Sequence, residues 1–345
     1  WIVSQPATSG PSTVWRYDGA RWAAVSDGLP TGGVAVRDLW VEREGRVWMY
    51  GGVPGEAHPY DVYRYEGGSW TRVESARESV SNQALTGRIA GANGEVYVLT
   101  TALGGFNTWS FVNLSQSPAR YERVSVGTRT YTDTVVSAGG RLWYVGSDIY
   151  RREGAQWVAT GVPRPMNNRV RLPTTFAASD ANTGWAFNAY ADQYRMSAGS
   201  WALTTAEDKP ELRGLAARGG VPIAYGTGVY TRGANGSWTR SPLATTDTLG
   251  VAHDPTGALR WVITAPGRAM RVEGAALVDA SPTDATVISI WMPDTTTAWA
   301  TFGATTGSRL RRWDGTRWND APALPARIGD VDGARVELGP VWSDG

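Results

Sequence analysis

The chain has 345 residues, with 33 basic side chains against 32 acidic ones, a formal net charge of +1, and no cysteine. The missing thiols exclude disulfides, cysteine nucleophiles and Cys-ligated metals. The balanced charge supplies no basic field for nucleic acid or an anionic membrane surface. A hydrophobic content of 42%, with 18 Trp, 14 Tyr and 42 Gly, is that of a folded, β-rich chain, and no apolar stretch is long enough for a membrane-spanning helix.

In chain order, the first 25 residues carry Val14-Trp15-Arg16-Tyr17-Asp18-Gly19-Ala20-Arg21-Trp22, a strand, a tight turn and a second strand. Residues 34–75 hold an inner hairpin, Leu39 to Trp48, and an outer one, Val62-Tyr63-Arg64-Tyr65-Glu66-Gly67-Gly68-Ser69-Trp70. Residues 85–124 repeat this with Ile89 to Tyr97 and Phe111 to Val124, where Tyr121 stands at the tryptophan position. Residues 130–161 contain Val135 to Trp143 and Ile149 to Trp157. Residues 171–205 contain Phe176 to Phe187 and Gln193 to Trp201. Residues 211–242 contain Leu215 to Tyr225 and Val229 to Trp238. Residues 248–280 contain Val251 to Val262 and Met270 to Leu277, without the Trp. Residues 286–321 contain Ile290 to Ala300 and Leu310-Arg311-Arg312-Trp313-Asp314-Gly315-Thr316-Arg317-Trp318. Segments 72–85 and 206–212 are expected to hold at most one helical turn each.

Asp-Gly and Asn-Gly pairs supply the positive φ that two-residue hairpins need. Alternation puts Tyr and Trp on one face of a strand and Arg on the other. Two hairpins per unit make a four-stranded antiparallel blade, and a period of about 40 residues points to a propeller. The expectation is an all-β, eight-bladed β-propeller over residues 1–345, with seven blades as the alternative. The eighth blade would join residues 1–25 to 327–338 and close the ring, removing free edges.

The repeats resemble those of bacterial propellers of the kelch, tectonin and sensor-domain kinds, in which glycine turns and a strand-end tryptophan recur. Ser179-Asp180-Ala181-Asn182-Thr183-Gly184-Trp185 resembles, with altered spacing, the Asp-box of sialidase-like propellers. The resemblance spans the chain as architecture and implies no catalytic residue, since propellers host lectins, scaffolds, sensors, lyases and hydrolases. Abundant Trp, Tyr, Gly and Thr beside a single lysine, Lys209, suggests an exported bacterial protein. The opening Trp1-Ile2-Val3 reads as mid-strand, so residues are expected upstream of it.

Chemistry is sparse. The two histidines, His58 and His253, fall in different blades and form no metal pair or triad beside a nucleophile motif. Asp18, Glu66, Glu153, Glu273 and Asp314 occupy equivalent outer turns, which one repeated structural role explains better than acid-base catalysis. No glycine-rich phosphate loop follows a strand, so no nucleotide cofactor or metal is expected. The starts of the inner strands line the axis of a propeller. They align Arg37-Asp38, Gly87-Arg88, Asp133-Thr134, Thr174-Thr175, Arg213-Gly214, Ile288-Ser289 and Gly329-Asp330. Asp38, Arg88, Asp133, Arg213 and Asp330 are therefore the candidate ligand-binding residues at the channel mouth. Two insertions, 51–61 and 101–120, are candidate rim loops, the second presenting Phe106 and Trp109. The Trp-Arg-Tyr repeat furnishes either sugar-stacking pockets between blades or simply inter-blade core. The expected function is non-catalytic recognition or scaffolding, with a protein or carbohydrate partner and no nucleic acid. The alternatives are a lyase or hydrolase at the axial mouth, using Asp or Glu as acid-base groups and Arg as anion clamps, and a sensor domain of a larger protein.

Overall fold

The structure is a computed structural model that describes residues 1–6, 11–18, 20–43, 45–53, 60–73, 88–101, 108–116, 119–125, 134–146, 148–161, 173–178, 182–188, 193–204, 212–218, 221–232, 238–243, 245, 247–304, 307–321 and 336–338. Among the described residues thirty-two strands follow one another. They are β1 (Ile2–Pro6), β2 (Thr13–Tyr17) and β3 (Trp22–Ala24), then β4 (Ala35–Arg43), β5 (Arg46–Gly52), β6 (Tyr60–Glu66) and β7 (Ser69–Arg72). Next come β8 (Arg88–Ala92), β9 (Glu95–Thr101), β10 (Thr108–Asn113) and β11 (Arg120–Ser125), then β12 (Thr134–Ala138), β13 (Arg141–Val145), β14 (Ile149–Glu153) and β15 (Gln156–Ala159). They continue as β16 (Pro173–Ala178), β17 (Gly184–Asn188), β18 (Gln193–Ser197), β19 (Ser200–Thr204), β20 (Leu212–Arg218), β21 (Val221–Gly226), β22 (Val229–Arg232) and β23 (Trp238–Arg240). The last are β24 (Thr248–His253), β25 (Leu259–Thr264), β26 (Arg268–Glu273), β27 (Ala276–Asp279), β28 (Thr286–Trp291), β29 (Ala298–Ala304), β30 (Gly307–Trp313), β31 (Trp318–Asp320) and β32 (Val336–Leu338).

These strands make eight four-stranded antiparallel sheets. The chain is an all-β, eight-bladed propeller, and the seven-blade alternative falls away. The terminal segments share a sheet of order β3-β2-β1-β32, in which Ser4, Gln5 and Pro6 pair with Leu338, Glu337 and Val336. The chain divides into two compact units, Trp1–Val25 with Asp208–Ser343, and Ser26–Glu207, each holding four of the sheets. No helix among the described residues is long and apolar enough to cross a membrane. The two segments read as single helical turns lie largely outside the described residues.

Local chemistry sets the hairpins. Asn93 and Gly94 both take positive φ, +54° and +77°, the twist that joins β8 to β9 in two residues. Gly28, at φ +83°, lets the chain run against β7: a Cβ there would lie 2.0 Å from the Trp70 carbonyl oxygen, and Trp70 N–H donates to the Asp27 carbonyl at 2.8 Å.

The core lies between successive blades. Trp48, Tyr50 and Val62 of one blade pack with Ile89, Val98 and Val112 of the next. In the other unit, Trp261 and Ile263 pack with Phe302 and Trp313. The outer-hairpin indoles also latch neighbours together. Trp201 Nε1 donates to Thr160 Oγ1 at 2.8 Å, and Trp318 Nε1 donates to the Ala280 carbonyl at 2.8 Å, each at the end of the preceding blade's fourth strand.

The expected segregation of Trp from Arg is corrected by the register. Trp48 pairs with Arg64, Trp143 with Arg151, Trp185 with Arg195, Trp261 with Arg271 and Trp299 with Arg312. Direct antiparallel partners share a face. Arginine alternates away from tyrosine within its own strand but lies beside the tryptophan of the strand before it. Arg64, Arg151 and Arg312 accordingly sit 5.8, 5.9 and 5.9 Å from the ring centroids of Trp48, Trp143 and Trp299.

Candidate functional site

The acids of the outer turns are committed to structure. Asp18 Oδ1 accepts from the Ala20 and Arg21 amides at 2.9 and 2.8 Å, and Asp314 Oδ1 accepts from the Thr316 and Arg317 amides at 2.8 and 2.9 Å. Where the turn residue is glutamate, it clamps the arginine two positions earlier, as in Arg64–Glu66, Arg151–Glu153 and Arg271–Glu273.

A related device caps two inner hairpins. Asp254, fully buried, accepts from the Thr256 hydroxyl, the Thr256 and Ala258 amides and Arg260 Nε, and Asp294 Oδ1 accepts from the Thr296 and Thr297 amides. The Asp180 segment that resembles an Asp-box starts outside the described residues. The Thr256 hydroxyl, with Arg260 and two amides, holds the Asp254 carboxyl down to about 2 from 3.8. A folded-state value below the unfolded one stabilises the fold above about pH 4, and that contribution disappears as pH falls through about 2. Asp254→Asn is therefore expected to lower the denaturation midpoint at pH 7 and to bring it close to the parent's at pH 2. An equal deficit at both pH values would contradict this role.

Among the described residues a cluster of titratable groups lies between the β8–β11 and β12–β15 blades. Arg152, 6% exposed, donates from Nη1 and Nη2 to Glu122 at 2.8 and 3.2 Å, and from Nε to Glu95 at 3.4 Å. Its guanidinium lies 5.0 Å from the Tyr97 ring centroid. The Tyr97 hydroxyl is 3.3 Å from a carboxylate oxygen of each glutamate and accepts from Asn113 Nδ2 at 2.8 Å. Burial and the Glu122 carboxylate push this phenol well above its ordinary value. The cluster is a closed hydrogen-bonded clasp. Among the described residues no group of three or more His, Cys, Asp or Glu side chains is arranged to hold a metal ion.

The inner-strand starts share a feature that the sequence alignment touched without resolving. Register slips by one residue in β4 between Val36 and Asp38, in β16 between Pro173 and Thr175, and in β20 between Leu212 and Gly214. The same slip recurs in β24 between Thr248 and Gly250 and in β28 between Val287 and Ser289. Each is a β-bulge, which leaves one residue out of the ladder and re-aims its side chain. The bulged residues are Arg37, Thr174, Arg213, Leu249 and Ile288. Arg37 and Arg213 are exposed, Leu249 is 41% exposed, and Ile288, at 52%, is the most exposed large hydrophobic residue among those described.

This separates the candidate ligand residues. Asp38 is the residue after a bulge and turns inward. It is 9% exposed, and its two oxygens accept from the Leu39 amide at 3.0 Å and the Ile89 amide of the next blade at 2.9 Å. Burial raises its carboxyl above the ordinary value, opposed by those amides and by Arg88. Asp38 is thus a tie between first strands rather than an open ligand. Arg88, at the start of β8, is exposed beside it. Arg213 is a bulge residue, paired with Asp247 at 2.9 Å. Asp133, Asp330 and Phe106 lie outside the described residues. Trp109 lies not in a rim loop but in β10, opposite Thr101 and Val124, because Thr108 to Asn113 continues a strand. Two residues further on, Phe111 is fully buried and stacks on Trp157 at 4.3 Å. The alignment missed Leu249. The signal was a residue-glycine step at the strand start, shared by Arg213-Gly214 and Leu249-Gly250.

Fold and site together define a β-propeller whose described carboxylates are largely engaged in capping and bridging, with side chains raised from its first strands at bulges. Solved structures similar in fold include YCF48 bound to a D1 peptide, with a TM-score of 0.51 and 13% identity over 93% of this chain and 100% of that one. YCF48 from Cyanidioschyzon merolae aligns with a TM-score of 0.50 and 15% identity over 84% of this chain and 98% of that one. A puromycin hydrolase mutant aligns at 0.49 and 13% identity, over 87% of this chain and 55% of that one. No family model and no curated protein sequence matches the chain, and the two YCF48 likenesses speak to fold alone.

Proposed function

We propose that the protein is a recognition propeller that binds a segment of another protein along the first strands β20, β24 and β28. The observation that carries this reading is the repeated bulge, which presents Arg213, Leu249 and Ile288 from three successive blades of one unit. Two exposed aliphatic side chains beside a guanidinium match a peptide that carries apolar residues and a carboxylate. The Arg213–Asp247 pair is itself exposed, with side-chain accessibilities of 52% and 44%, so it contributes little net energy and yields readily to a peptide carboxylate. Asp247 then remains to accept a peptide N–H. The YCF48 propeller of the same fold was solved with a peptide bound, which supports a peptide as the kind of partner.

The test is selection of a displayed random-peptide library on the immobilised protein, followed by calorimetric titration of the synthesised peptides. Enriched sequences are expected to combine acidic and aliphatic or aromatic residues. Ile288→Ser and Leu249→Ser are each expected to weaken binding about tenfold, the value of one buried aliphatic side chain, with the thermal midpoint unchanged. Failure to enrich any peptide, or binding by both variants as tight as the parent's, would overturn the reading.

A further inference from the structure

We infer that the cleft between the fourth strand β27 and the outer hairpin β30–β31 of the next blade is a binding site for a neutral saccharide. It lies on outer strands, apart from the first strands discussed above, and does not depend on them. The cleft has a volume of about 310 Å³, at the small end of the range for ligand sites, and its lining includes Arg271, Ser281, Trp313, Thr316, Arg317 and Trp318.

Three observations select the ligand class. First, the charges around the cleft are already paired: Arg271 with Glu273, Asp279 with Arg268, and Arg317 with Asp314 at 3.8 Å. An ionic ligand would have to displace one of these partners, whereas an uncharged one need not. Second, hydrogen-bonding capacity is left over. Arg271 Nε has no acceptor and is covered as it stands, so a ligand oxygen engages it through a small turn of the guanidinium, which relieves the cost of leaving it unpaired. Ser281 Oγ accepts from the Ala269 amide at 2.9 Å and keeps its hydroxyl proton to donate. Thr316 Oγ1 donates to Asp314 at 2.8 Å and keeps a lone pair to accept. Donors and acceptors side by side suit hydroxyl groups, which do both. Third, the aromatic surface is rigid. Trp318 is half-buried, its N–H is tied to the Ala280 carbonyl, and its ring is braced edge-on by Phe302 and Trp313 at 5.3 and 5.4 Å. Its N–H is spent, so it offers a flat apolar face, the complement of the C–H face of a sugar ring. Trp313 is 6% exposed and already lies under Arg271 at 5.5 Å, so Trp318 supplies the platform.

The test is titration of tryptophan emission with glucose, galactose, mannose, N-acetylglucosamine and the disaccharides cellobiose, lactose and chitobiose. At least one is expected to give a saturable change. Arg271→Lys keeps the charge that pairs with Glu273 but removes Nε, and is expected to weaken that sugar about tenfold with an unchanged thermal midpoint. Val278→Arg, at a 39%-exposed position on the cleft, is expected to abolish binding without touching the core. No saturable change with any sugar would overturn the assignment, as would an affinity in both variants equal to the parent's.

Discussion

Arg152→Ala is expected to lower the stability of the fold by about 3–5 kcal/mol, the range for removing one partner from a buried ion pair. The guanidinium is 6% exposed, and it holds Glu122 in a two-pronged contact while reaching Glu95. Without it, two carboxylates remain beside the Tyr97 hydroxyl with no cation paired to them among the described side chains, and the Tyr97 and Trp157 rings lose the group that covers them at 5.0 and 5.7 Å. Because most of that loss is the stranded negative charge, the double variant Arg152→Met with Glu122→Gln is expected to be more stable than Arg152→Ala alone. Urea denaturation of the three proteins measures this. An Arg152→Ala midpoint equal to the parent's would show that the clasp contributes nothing, and a double variant worse than the single one would show that packing, not charge, dominates.

Trp261→Ala is the second large effect, again about 3–5 kcal/mol, the range for emptying a buried aromatic site. Trp261 is 2% exposed and meets Trp313 and Trp318 at 5.1 Å each, so its removal opens a cavity between two blades. Trp318 loses a neighbour while keeping its hydrogen bond to Ala280, and Arg271 loses its cross-strand partner. Trp261→Phe is expected to recover more than half of the loss, since the ring still fills the inter-blade layer. Equal destabilisation by both substitutions would mean that the indole is held for something other than volume.

The blades were legible because their signals are local. Gly67-Gly68 and Asn93-Gly94 fix two-residue hairpins by their own φ, and the acid-glycine-tryptophan spacing recurs at Asp18, Glu66, Glu153 and Asp314. That residues 1–25 and 327–338 meet in one blade followed from counting incomplete units at the two ends, and the pairing of Ser4 with Leu338 is its register. What the sequence concealed depends on two strands at once. The slip at Arg213 is a property of how β20 meets β21, so Arg37-Asp38 and Arg213-Gly214 read as equivalent pairs at the channel mouth when only the first residue of each is raised out of the ladder. Asp38 looked like a ligand because its partner, the Ile89 amide, is 51 residues away. Arg152 looked like one more repeat arginine because Glu95 and Glu122 come from the preceding blade. Trp109 was placed in a loop because the glycines before it suggest one, although its neighbours Thr108, Ser110 and Phe111 alternate as a strand.

Most aromatic and acidic side chains among the described residues are explained by hairpin capping, arginine stacking and inter-blade packing. The recurrent bulges are not needed for any of these, which is why they carry the functional reading. The most direct test is a charge exchange on a selected peptide. Arg213→Glu should weaken a peptide bearing a carboxylate at the contacting position about tenfold or more, and replacing that carboxylate by lysine should restore affinity to the variant while weakening it for the parent. If Arg213→Glu binds the original peptide as well as the parent does, or if the lysine peptide gains nothing with the variant, the first-strand face is not where this propeller recognises its partner.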